Sequence, residues 1–192
     1  EEGLVTPDHR IHCGGGANFY GRYFKCHLSG GHGSMDMRHA LEKSCNVYFY
    51  TLGNMLGVDR IHKWADRLGL SERTGIDLPH EGESLVPSTE WKRRRTGEKW
   101  YAGETISVAI GQGQVSVTPL SLATMMSTVA NGGTRQVPHL VQAVDEGEGF
   151  INLLRNHRAA LRSNLPAAAG LRDAGGNDPL RPAGTAALLA EA

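Results

Sequence analysis

Three thiols and one imidazole carry the most evident chemistry in this sequence: Cys13, Cys26, His32 and Cys45, spaced Cys-x12-Cys-x5-His-x12-Cys. Zinc takes four tetrahedral ligands from thiolate and imidazole, so this set completes one structural site. The spacing matches no common zinc finger. Two other fates use the same residues. Cys13 and Cys26 can pair as a disulfide in an oxidising compartment, which leaves Cys45 free because the count is odd. Alternatively, Cys45 serves as a small apolar core residue.

The remaining candidates are weaker. Gly111-Gln-Gly113 lacks the G-x-x-x-x-G-K context of a phosphate-cradling loop. Lys92-Arg-Arg-Arg95 reads as a solvated helix or loop face. Lys plus Arg and Asp plus Glu both number 20, so the formal net charge is zero. That balance argues against a nucleic-acid partner, which requires a basic surplus over phosphate. Asp77 and Glu81 form no convincing acid/base pair, and His62, His80 and His139 have no partner that the sequence identifies. A hydrophobic share of 40% with 21% charge is that of a globular protein. No apolar run approaches a membrane span, and no signal peptide opens the chain; either the protein is soluble or a targeting segment precedes Glu1.

These residues need elements to hold them. Residues 1–33 are glycine-rich, marking turns and close backbone approaches, with Tyr20–Phe24 as a strand or edge ribbon. Such a segment, within a knuckle-like stretch over residues 1–45, needs something other than a large core to hold it. From about Asp36 to Leu56, apolar residues at Met37, Leu41, Cys45, Phe49, Leu52 and Leu56 predict one helix, capped by Ser34 or Asp36 and stopped at Gly57. A second helix is predicted from Asp59 as cap to Gly69, with Ile61, Trp64, Ala65 and Leu68 facing inward. Ser88 or Thr89 caps a short helix containing Trp91. A third clear helix starts at Thr118-Pro119, carries Leu122, Met126 and Val129, and ends at Asn131-Gly-Gly133. The Met125–Met126 pair reads as core. Residues 136–141 read as a strand, with Pro138 placing it at an edge. Ala, Gly and Pro dominate residues 159–192, which predicts a weakly ordered tail with one helix near Ala186.

Gly31-His-Gly33 and Ala40-Leu-Glu-Lys-Ser-Cys-Asn-Val-Tyr-Phe-Tyr50 closely resemble the region around the second active-site motif of class B penicillin-binding proteins, in particular the elongation-type group called penicillin-binding protein 2. The resemblance continues through Gly57-Val-Asp59, Thr74–Pro79, Pro87–Lys92, Trp100–Thr105, Ile110–Gly113 and Thr118-Pro119 to Val137–Leu140, in order and with similar gaps. It loosens after residue 141. Such enzymes use three motifs: S-x-x-K, S-x-N and K-T-G or K-S-G. Ser44-Cys45-Asn46 fits the second. The resemblance gives Ser44 a part in the proton relay of acylation, and Asn46 the task of orienting the donor peptide and the Lys–Ser pair. Without the flanking match, Ser44 would read as a helical serine and Asn46 as a local capping residue.

No S-x-x-K occurs in the chain, and the resemblance places that motif ahead of Glu1. Arg181-Pro-Ala-Gly-Thr-Ala186 is similar to a stretch that precedes the third motif rather than to the motif itself. The fold implied is α+β, of the penicillin-binding and β-lactamase-like transpeptidase type; this incomplete fragment covers chiefly its helical subdomain, with Gly111–Gly113 as a buried connection. The resemblance also favours zinc over the disulfide, with Cys13, Cys26, His32 and Cys45 at four ligand positions beside the S-x-N motif. Its implied role is structural, fixing the start of the helix that presents Ser44 and Asn46.

The function implied for the intact enzyme is D,D-transpeptidation of peptidoglycan stem peptides, with β-lactams as trapping mimics. Elongation-complex membrane proteins are the implied partners, and the implied place is the periplasm, anchored to the inner membrane. Two alternatives remain: a zinc-stabilised scaffold or binding module without enzyme activity, and a β-lactamase or β-lactam sensor of the same fold.

Overall fold

The structure, a computed structural model, describes residues 2–141, 143–145 and 150–152. The predicted tail at 159–192 and its helix near Ala186 lie outside the described residues. Four short strands, β1 (Ile11–Cys13), β2 (Gly16–Phe19), β3 (Arg22–Lys25) and β4 (Gly33–Met35), precede six helices. The helices are α1 (Met37–Glu42), α2 (Asn46–Leu56), α3 (Val58–Arg67), α4 (Thr89–Thr96), α5 (Ala102–Val108) and α6 (Pro119–Ala130), followed by strands β5 (Ala143–Asp145) and β6 (Phe150–Asn152). The strands pair antiparallel as β1–β4, β2–β3 and β5–β6. No helix among the described residues is long and apolar enough to cross a membrane.

Helix α2 is the centre of the molecule: it contacts α1, α3, α5 and the first three strands. Its buried residues Val47, Tyr48 and Tyr50 join Cys13, Cys26, Met35, Ala40, Cys45 and Ile106 in one core. The β2–β3 hairpin lies against it through Phe19, Phe24 and Tyr50, whose rings meet edge-on with centroids 5.6–6.3 Å apart. That hairpin turns at Tyr20-Gly21, both with positive φ, as the twist of a two-residue connection requires. The two buried tyrosine hydroxyls donate to backbone carbonyls, Tyr48 to His9 and Tyr50 to Lys25, each at 3.2 Å.

Gly53 lets α2 and α5 approach closely, because a Cβ there would stand 2.2 Å from Ala109 Cβ. Gly53→Ala would gain about 1 kcal/mol of helix propensity. Overpacking opposes it at the upper end of its usual range, about 3 kcal/mol. The expected net loss is about 2 kcal/mol, read as a lower urea midpoint at unchanged slope. An unchanged or higher midpoint would mean that the two helices separate freely.

Several expectations need correction. The single helix over 36–56 is broken at residues 43–45 into α1 and α2, and Leu41 is 65% exposed rather than on the buried stripe. Asp36, not Ser34, caps α1 through the His39 N–H. Asp59 does not cap α3, whose N-cap is Gly57; its carboxylate instead accepts from the backbone N–H and hydroxyl of Thr89 at 2.8 and 2.9 Å and ties α3 to α4.

Lys92 is not solvated: its side chain is 4% exposed, and its ammonium bonds both Glu104 oxygens at 2.8 and 2.7 Å beneath the Tyr101 ring. Helix α6 faces inward with Ser121, Thr124 and Thr128, because Ser121 bonds Ser84 at 2.8 Å; Met126 is 59% exposed and not core. Residues 136–141 form no strand. Their backbone finds a side chain instead, as Asp77 accepts from Leu140 and Val141 N–H at 2.7 and 2.8 Å. Gly111–Gly113 is an exposed turn, not a buried connection; the Gln112 N–H folds it back onto the Ser107 carbonyl at 3.0 Å.

Candidate functional site

The antiparallel ladder pairs Cys13 opposite Gly33, which brings the first cysteine beside His32. The β2–β3 hairpin then returns the chain so that the Cys26 N–H donates to the Gly15 carbonyl at 2.8 Å. Gly31 closes the arrangement. It has φ +75°, and a Cβ on it would lie 2.2 Å from the Cys13 carbonyl oxygen, so any side chain would push β1 and the His32 loop apart.

Cys45 reaches the same point from the other side, at the junction of α1 and α2. That junction is a Schellman motif: the Cys45 N–H donates to Ala40 O at 2.9 Å and the Ser44 N–H to Leu41 O at 3.2 Å. Ser44 holds the left-handed position of the motif with φ 51°. Helices α3 and α6 end in the same pattern, but with Gly69 and Gly132 at that position, as chain geometry favours. A serine there carries strain of about 1 kcal/mol, which the surrounding turn must offset. The turn leaves Ser44 exposed, buries Cys45 completely as the N-cap of α2, and places Asn46, half-buried, in the first position of α2.

Cys13, Cys26, His32 and Cys45 therefore meet: one ligand atom from each lies within 4.8 Å of all the others. The His32 Nδ1 is 3.5 Å from both Cys13 Sγ and Cys26 Sγ. A tetrahedral zinc with sulfur at about 2.3 Å and nitrogen at about 2.0 Å has sulfur–nitrogen edges of about 3.5 Å, so the donor set fits the ion. All three cysteines are free and buried, and no disulfide joins them.

The electrostatics divide the thiols. Burial alone would raise Cys26, but the N–H groups of Leu28, Val47 and Asn46 outweigh it and bring this thiol below its ordinary range. Two of those donors open α2, where the helix dipole favours a thiolate. Cys45 is pushed up to about 12, first by burial and then by the neighbouring Cys13 and Cys26. Burial, with the charges of His27 and Lys43, lowers His32 and so favours the neutral imidazole, the form that binds a metal. Three clustered sulfurs of this kind are poorly suited to carry negative charge together unless a cation sits among them.

Other sequence candidates take structural parts. The Glu81 carboxylate accepts from the Thr74 N–H, the Thr74 hydroxyl and the Gly75 N–H at 2.6, 2.7 and 3.0 Å, which accounts for a lowered pKa despite burial. Asp77 is held low by the Val141 and Leu140 amides. Both carboxylates are thus spent on backbone groups, tying residues 74–75 to Glu81 and residues 140–141 to Asp77. His62 bonds the Val86 carbonyl at 2.7 Å. The sequence reading missed the Schellman turn at Ser44, because the signal for that turn is a glycine.

The penicillin binding protein transpeptidase domain family matches residues 1–165. The peptidoglycan D,D-transpeptidase MrdA of Acinetobacter baumannii is 45% identical over 120 residues, which cover 62% of this chain and 18% of that protein. Among solved structures, Pseudomonas aeruginosa PBP2 in complex with WCK 5153 is similar at a TM-score of 0.72 and 36% identity, over 75% of this chain and 32% of that one. Helicobacter pylori PBP2, in a complex with MreC, is similar at a TM-score of 0.69 and 28% identity, over 83% and 30% of the two chains. The chain spans about a fifth of the length of the curated relatives it matches. With Ser44-Cys45-Asn46 at the turn between α1 and α2, this chain belongs to the penicillin-binding protein transpeptidase family and has its α+β fold.

Proposed function

We propose that this chain supplies the second catalytic motif of an elongation-type peptidoglycan D,D-transpeptidase. In that reaction a serine attacks the D-Ala-D-Ala carbonyl of a donor stem peptide, D-Ala leaves, and the acyl group passes to an acceptor amine. The observation that carries the reading is the exposed Ser44, held left-handed beside Asn46 at the start of α2. A hydroxyl and an amide fixed there can relay a proton and hold a peptide. The nucleophile itself comes from residues outside this sequence, since no S-x-x-K occurs within it.

Cys13, Cys26, His32 and Cys45 hold a structural zinc in this reading, supported by the donor set and its spacing. The ion anchors Cys45 and, through it, the turn on which Ser44 and Asn46 stand. The working protein is placed in the periplasm, anchored to the inner membrane by a segment outside this sequence. The H. pylori relative seen with MreC supports a membrane-associated elongation complex as its partner.

Labelling with a fluorescent penicillin tests the function. A longer gene product carrying this sequence is expected to become covalently labelled, whereas the 192-residue chain is not. Labelling of the 192-residue chain would mean that the nucleophile lies within it. An unlabelled longer product would favour the non-enzymatic scaffold.

A further inference from the structure

We propose that His27 is a second imidazole donor for the cysteine cluster, one that takes the coordination position of His32 during metal entry and release. The inference rests on the zinc reading above. His27 follows Cys26 directly, and its Nδ1 stands 3.9 Å from Cys26 Sγ, against 3.5 Å for the Nδ1 of His32. The His32 value matches a tetrahedral sulfur–nitrogen edge of about 3.5 Å, and the His27 imidazole stands about 0.4 Å beyond it, just outside the converging set. The two imidazole rings face each other with centroids 4.9 Å apart and planes 52° apart, so they approach the same sulfur from adjoining sides.

The surroundings give the two histidines different tasks. His32 is fixed, because Gly31 packs against the Cys13 carbonyl and Gly33 is in register with Cys13. Its ring is half-buried, whereas His27 is exposed on the loop between β3 and β4. The three thiols are buried, so His27 is the donor that an incoming ion meets at the water-facing side of Cys26. A four-coordinate zinc that accepts a fifth ligand before losing one can pass between the imidazoles without falling below four ligands. The resting site then keeps His32, and His27 sets how fast metal enters and leaves.

Cobalt(II), whose visible spectrum reports tetrahedral thiolate coordination, is the probe on the full 192-residue chain. Wild type, His27→Ala, His32→Ala and the double variant are compared, together with the rate at which zinc passes to a chelator. His32→Ala is expected to keep the wild-type tetrahedral spectrum with about tenfold weaker affinity, and the double variant, left with three thiolates and a water, to shift its visible bands with a further drop of about 100-fold. His27→Ala alone is expected to keep wild-type affinity but to transfer zinc about tenfold more slowly.

Identical spectra and affinities for His32→Ala and the double variant would overturn the proposal. Wild-type transfer rates for His27→Ala would also overturn it, and this measurement decides the matter if the His32 variants do not fold. A wild-type chain that takes up neither metal would refute the zinc reading itself, and this inference with it.

Discussion

Removing the zinc proposed for Cys13, Cys26, His32 and Cys45 is expected to lower the thermal midpoint by about 10 °C and to open residues 11–46 to amide exchange while α3 to α6 stay protected. Binding of a structural zinc by sulfur and nitrogen ligands contributes to folding, because the site does not exist in the unfolded chain. At free zinc about 1,000-fold above the dissociation constant, linkage gives about 4 kcal/mol. For a chain of this length each kcal/mol moves the midpoint by about 2–4 °C. That stake is large beside a total stability of about 5–15 kcal/mol.

Localisation follows from the packing. Cys13, Cys26 and Cys45 are three of the nine residues at the centre of the core, so without the ion that core must bury sulfur that prefers a cation. The strands beside them are three or four residues long and bury little else. The dependence on pH has a definite sign. Cys45, pushed up to about 12 by burial and its neighbouring sulfurs, is protonated at neutral pH without metal, so the ion must displace its proton. Affinity therefore rises with pH and is lost in acid, by about tenfold per unit for each proton displaced. Melts with and without chelator, with zinc restored afterwards, test this. Equal midpoints, or a mapped Cys13–Cys26 disulfide, would remove the metal.

The helices were legible where the local signals were conventional. Thr118-Pro119 and Ser88 cap as their side chains dictate, and Gly57 ends α2. Four of the errors share one cause: polar groups far apart in sequence found one another. Ser121 met Ser84, Asp59 met Thr89, Lys92 met Glu104, and Asp77 met the backbone of Leu140 and Val141. A one-dimensional period cannot register partners 12 to 64 residues away. Met126 illustrates the consequence: the Met125–Met126 pair reads as core, yet Met126 stands exposed with Leu122 and Val129 while the helix turns its hydroxyls inward. The metal-site candidates were legible from residue type alone, but their convergence depends on Gly15, Gly31 and the β1–β4 register, which composition only hints at.

Ser44→Gly is expected to abolish most acylation while leaving stability equal or slightly higher. Relief of the left-handed conformation contributes about 1 kcal/mol, offset by about 0.5 kcal/mol for the greater freedom of glycine in the unfolded chain. The net gain is about 0.5 kcal/mol, and the two comparable turns at Gly69 and Gly132 show the residue that stability alone selects there. Loss of the hydroxyl acts in the other direction on function. A positioned proton relay contributes about 100- to 10,000-fold, so penicillin acylation by the longer product should fall by that factor.

Ser44→Ala separates the two effects, because it removes the hydroxyl while retaining the strain. If Ala and Gly lose acylation equally, the hydroxyl carries the role; if Gly alone loses it, the rigid turn does. Undiminished acylation in both variants would strip Ser44 of its part in the relay. A marked fall in the melting midpoint of Ser44→Gly would show that the serine stabilises its turn, and that its conformation is not a strain retained for catalysis. Sequence and geometry together favour retention: α1 keeps a serine where α3 and α6 keep glycine, and it does so beside the buried Cys45 that the metal would hold in place.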